Sequence, residues 1–148
     1  MNLETKVMEA LKEAMKSKDQ AALRGVRAIK SAILLFKTDG SNQELDEAAE
    51  LKILQKLVKQ RQDSIEIFLN QNRSDLAKVE QEEVEVIMKF LPEQLSLDAL
   101  ETAMRSIAQE IGAANAKDMG KLINAANQKL AGQADGKSIA AAAKIILS

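Results

Sequence analysis

Neither histidine nor cysteine occurs in the 148 residues of the chain. Imidazole general bases, Ser-His-Asp triads, thiol nucleophiles, disulfides and thiolate metal sites are therefore excluded together. Serine and lysine remain as nucleophiles, but neither Ser-x-x-Lys nor Gly-x-Ser-x-Gly is present. Acidic pairs such as Glu82 and Glu83 are the ligand type for a hard metal, yet the inward Glu-x-x-His pattern of di-iron bundles is missing. No metal and no cofactor are expected, and no catalytic residue can be named. The side chains left for function are charges that hold a partner.

Three constellations of charge stand out. With successive residues placed 100° apart, Arg61 falls in the middle of an apolar stripe between Val58 and Ile65, and Glu80 and Glu83 fall inside the apolar face of the next helix. One reading is a recognition groove for something polar. The other is a buried ion pair between neighbouring helices, since unpaired buried charge is heavily penalised. After Asn115, five lysines (Lys117, Lys121, Lys129, Lys137 and Lys144) meet only Asp118 and Asp135, a local excess of +3 in a chain of formal net charge −1. Helix starts near Asp118 and Asp135 would offer free amide hydrogens to phosphate, so this segment reads either as a nucleic-acid backbone contact or as ordinary solvated lysine. Arg24, Arg27 and Lys30, joined by Lys59 and Arg61, make a second possible basic surface.

The elements that must position these residues are helical from end to end. Leu3, Val7, Ala10, Leu11, Ala14 and Met15 recur at three and four, predicting a helix from Leu3 to about Ser17. Asp19 caps a second, carrying Ala22, Leu23, Val26, Ile29, Ile33 and Phe36, which Thr38 to Asn42 ends with Gly40 free to turn left-handed. A long third helix runs from about Asp46 to Asn70, and a fourth from about Ser74 to Phe90. Pro92, the only proline, lacks an amide hydrogen and disfavours helix at Leu91, so the chain divides there. Beyond it, Ser96 caps a run to Ile111 ended by Gly112, Asp118 caps a run to Leu130, and the last helix lies between Asp135 and Leu147. The alanines from Ala140 to Ala143 read as helix formers and no more. The fold class is all-α: a four-helix, bundle-like N-terminal domain over residues 1–91 and a small three-helix domain over 96–148.

An apolar content of 46% is ample for a core. No apolar run reaches the roughly 18–20 residues that cross a bilayer, and the first residues lack a basic-then-apolar signal. No membrane partner and a cytoplasmic location are the expectations. Phe36, Phe68 and Phe90 are the only aromatics, too few for a base-stacking platform.

Taken in order, Leu23–Ala32 (Leu-Arg-Gly-Val-Arg-Ala-Ile-Lys-Ser-Ala), Lys59–Phe68, Asn72–Ala77, Phe90–Ser96 (Phe-Leu-Pro-Glu-Gln-Leu-Ser), Asp118–Lys121 and Gly132–Gly136 resemble the bacterial YqeY family over nearly the whole chain. That family is similar to the tail region of the GatB subunit of glutamine-dependent aminoacyl-tRNA amidotransferase. It often carries the label of carbon–nitrogen ligase activity with glutamine as amido-N-donor. The chain resembles neither the amidase subunit that releases ammonia nor the GatB cradle that activates substrate. What the resemblance implies is binding to tRNA or to a tRNA-dependent enzyme; its last-turn pattern falls on Gly132, Gln133, Ala134 and Asp135, and Lys117, Lys121, Lys129 and Lys137, singled out by charge, are the contact candidates around it. Gln133 stands where the family's last turn usually has a basic residue, so a phosphate contact there would lack charge assistance. Asn72 stands where a small residue is common. A protein-protein adaptor using the Arg24, Arg27 and Lys30 face or a cleft between the domains is the alternative, and a lone amidotransferase a third.

Overall fold

The computed structural model describes residues 2–148. Among them are seven α-helices, one short 3-10 turn and no strand: α1 (Leu3–Ser17), α2 (Gln20–Thr38), α3 (Glu47–Asn70), α4 (Ser74–Met88), α5 (Leu97–Ile111), α6 (Met119–Lys129) and α7 (Gly136–Ile146), with the 3-10 turn at Ala116–Asp118. The all-α expectation holds. The chain separates into two compact units, one ending at Leu91 and the other spanning Pro92–Ser148.

The helix ends follow local chemistry. Asn2, Asp19, Asp46, Ser96 and Asp135 each accept a hydrogen bond from the amide three residues on, which satisfies one of the free donors that begin every helix. Asn72 adopts φ 57°. It donates to the Leu69 carbonyl while Arg73 N–H donates to Phe68, the paired bonds that close a helix through a left-handed residue. Asparagine is one of the few residues besides glycine that takes up that left-handed backbone readily.

In the N-terminal unit α2 is central. It packs against α1, α3 and α4, while α4 also packs along α3. Val7, Ile29, Leu54 and Ile87 fill the core between them. Gly25 on α2 is buried because α4 crosses directly over it: a Cβ there would lie 2.6 Å from Val86 Cγ1 and 2.7 Å from Val86 Cβ. In the C-terminal unit α5, α6 and α7 pack pairwise around Leu100, Met104, Leu122 and Ile139. The alanine run does more there than form helix, because Ala142 and Ala143 are buried in that core.

Candidate functional site

The charges of the N-terminal unit close on themselves. Arg61 on α3 is half-buried where the apolar stripe predicts a hydrophobe, and its Nε donates to Glu83 Oε1 across 3.4 Å. Its Nη1 donates to the Leu57 carbonyl one turn back at 3.1 Å. Glu83 faces a second arginine as well, with Oε2 lying 3.8 Å from Arg24 Nε. Arg24 Nη2 donates to Glu82 Oε2 at 3.1 Å. Two arginines and two glutamates thus alternate across α2, α3 and α4. The side chains of Arg61 and Glu83 are only 16% and 14% exposed, so their attraction is little screened. Glu80 is half-buried but makes no ion pair among the described residues, and this corrects its assignment to the pair. Helical periodicity puts Glu80 and Glu83 on one face, but only the crossing of α4 over α2 decides which carboxylate meets a guanidinium.

That network also divides the second basic surface. Arg24 points its charge into the α4 carboxylates, while Arg27 and Lys30 stay exposed on the outer face of α2. Leu34 and Leu35, 62% and 70% exposed, continue that face toward the helix end.

In the C-terminal unit the lysines are all exposed but not all free. Lys129 is paired with Glu110 of α5, so its charge is partly cancelled. Lys117, Lys121, Lys137 and Lys144 make no ion pair among the described residues. Taken over residues 92–148 the unit holds six basic and six acidic side chains, so the excess after Asn115 is offset by Glu93 and the acidic residues of α5. The helix start near Asp118 is built differently from the sequence expectation. Asp118 makes no forward cap; it ends the 3-10 turn, and its carboxylate accepts from Ala114 N–H at 2.9 Å. That bond, helped by the Asn115 amide and the charge of Lys121, holds its carboxyl below the usual range. At the start of α7, Asp135 occupies the Ser138 amide with its own carboxylate. The α7 start therefore has one of its first amides already taken, whereas the amides that begin α6 carry no side-chain cap.

Gln133 is half-buried and its backbone is committed to a turn. Its carbonyl accepts from Leu95 N–H and its own amide donates to Leu130. Beside it Gln94 Nε2 donates to the Pro92 carbonyl at 2.8 Å and the Gly132 carbonyl at 2.7 Å. The two stretches Phe90–Ser96 and Gly132–Gly136, far apart in sequence, are therefore bonded to one another. This structural tie through Gln94 was not legible in the sequence, because its partners are backbone carbonyls, which leave no mark there. Among the described residues no group of three or more His, Cys, Asp or Glu could hold a metal ion, and no helix is long and apolar enough to cross a membrane.

Fold and composition together define a histidine-free, all-helical protein of two compact units. A family model described as Yqey-like protein matches residues 4–147, and the chain belongs to the YqeY family. Curated relatives include the protein called "Altered inheritance of mitochondria protein 41, mitochondrial" from three yeasts. The Lachancea thermotolerans protein is 42% identical over 81 residues, 55% of this chain and 43% of its own length. The Eremothecium gossypii protein is 35% identical over 98 residues, 66% and 54% respectively. The Saccharomyces cerevisiae protein is 36% identical over 81 residues, 55% and 44%. The matched stretch spans about half the length of these relatives. Their names are mitochondrial, and this overturns the expectation of a cytoplasmic protein. The lack of a membrane-spanning run, on which that expectation rested, does not choose between compartments.

Proposed function

We propose that the chain is a tRNA-associated binding module, in which Lys117, Lys121 and Lys137 touch backbone phosphate and the N-terminal helices act as scaffold. The observation that carries this reading is the set of exposed, unpaired lysines on the C-terminal unit. Because that unit is neutral as a whole, affinity would come from close contact rather than from long-range steering. Three phosphate contacts give a slope of about −0.8 per contact in log K against log salt, so affinity for total tRNA falls roughly 30-fold between about 50 and 200 mM salt. Replacing Lys117, Lys121 and Lys137 together by glutamate abolishes the binding. Salt-insensitive or undetectable binding refutes the proposal.

A protein adaptor is the second reading, favoured by Leu34 and Leu35 standing exposed beside Arg27 and Lys30. Affinity capture from a native extract separates the two: RNA is recovered in the first case, and a stoichiometric nuclease-resistant protein in the second. Turnover of glutamine by the purified chain would support neither and would revive a lone amidotransferase.

A further inference from the structure

The N-terminal unit carries a feature that neither reading uses. α1 and α4 both pack on α2, and between them the α2 surface lies open as a slot of about 460 Å³. The α1 wall runs from Ala10 to Ser17, and the opposite wall from Glu82 on α4 to Lys89 and Phe90 just past its end. At 1.5 Å per residue each wall is about 10–12 Å long, some two helical turns. Between the charged positions the lining is small or apolar, with Ala10 and Ala14 from α1 and Ala21, Ala22 and Val26 from α2, so an incoming backbone can come close.

Its rim is acidic. Glu13, Asp19, Glu82 and Glu85 line the slot against one cation, Lys89. Glu82 is already paired with Arg24, but Glu13 and Glu85 are exposed and make no ion pair among the described residues. Such a rim repels phosphate, so nucleic acid is not its occupant, and it attracts lysine and arginine flanking an apolar stripe. We infer that this slot docks a cationic amphipathic helix of a partner protein, its apolar residues on the alanine lining and its basic residues against Glu13 and Glu85.

The test uses the full chain and three fluorescein-labelled 15-residue peptides: a helix with leucines at i, i+3, i+4 and i+7 flanked by lysines, the same peptide with glutamate for lysine, and a scramble of the cationic one. Fluorescence anisotropy at low salt should show saturable binding of the first peptide only. The exposed double variant E13K/E85K, checked for an unchanged melt, should weaken it at least about tenfold. Ala21→Trp, which fills the slot without altering charge, should weaken it as well. Equal binding of the scrambled peptide, no saturable binding of the cationic helix, or indifference to E13K/E85K overturns the inference. So does a wild-type dimer in sedimentation that E13K/E85K disperses, since a second copy would then hold the slot.

Discussion

Removing one member of the Arg61, Glu83, Arg24 and Glu82 network should cost very different amounts depending on which member goes. Glu83 is the hub. It accepts from Arg61 and lies 3.8 Å from Arg24, so Glu83→Leu strands the Arg61 guanidinium and leaves Arg24, whose Nε already has no hydrogen-bond acceptor, with Glu82 alone. Breaking a fully buried pair costs about 3–5 kcal/mol and breaking an exposed one about 0–1. At 16% and 14% exposure the Arg61–Glu83 pair lies nearer the first limit, which puts Glu83→Leu at about 2–3 kcal/mol. Arg61→Met should cost only about 0–1 kcal/mol, because Glu83 keeps Arg24 and methionine continues the Val58 and Ile65 stripe. The double variant should then be more stable than Glu83→Leu alone by about 1 kcal/mol, since it removes the stranded Arg61 charge. Chemical denaturation followed by far-UV circular dichroism measures the three differences. Hydrogen exchange at Val58 and Val84 amides assigns them to the N-terminal unit, because two units need not unfold together. A double variant as unstable as the sum of the singles would refute the reasoning.

Glycine replacements should have opposite signs in the two units. Gly25→Ala puts a Cβ 2.7 Å from the Cβ of Val86, which cannot move without α4, so an overpacking cost of about 1–3 kcal/mol exceeds the helix-propensity gain of about 1; a thermal melt should fall, while Gly120→Ala, which meets nothing within 4 Å, should raise it slightly. Gln94→Ala should cost about 1–2 kcal/mol by leaving the Gly132 carbonyl unbonded, and Gln94→Glu should cost more because a carboxylate cannot donate to either carbonyl, read by melting and by exchange at the Leu95 amide. The carboxyls of Asp118, Asp75 and Asp39 should titrate below the ordinary value of 3.8 in carbon-detected NMR, held there chiefly by Ala114 N–H, by Arg73 and by Ser41 respectively. The folded value is depressed, so their support is complete above the ordinary carboxylate range and is lost as pH falls through the lowered values; midpoints at or above 3.8 would refute it.

Helix positions were legible because each depends on neighbours within a turn or two. Asp19, Ser96 and Asp135 cap where the side-chain chemistry says they must, and Pro92 separates α4 from α5. Asp118 is the instructive exception: it ends the 3-10 turn, and its carboxylate bonds the Ala114 amide behind it instead of capping α6 ahead. Charge partners were less legible. Arg61 standing on an apolar stripe signals a partner, but Arg24 and Glu82 joining it required knowing that Gly25 lets α4 cross α2 at that point. Lys129 likewise read as a free cation until α5 placed Glu110 beside it.

By itself the sequence determined the helical class, the helix ends and the absence of imidazole and thiol chemistry, since propensity, capping and composition act through covalent neighbours or through inventory alone. Tertiary structure decided which charges cancel, which stay free on the surface, and where a slot opens between α1 and α4. Those outcomes depend on distances between residues tens of positions apart, which helix packing sets and periodicity within one helix cannot encode.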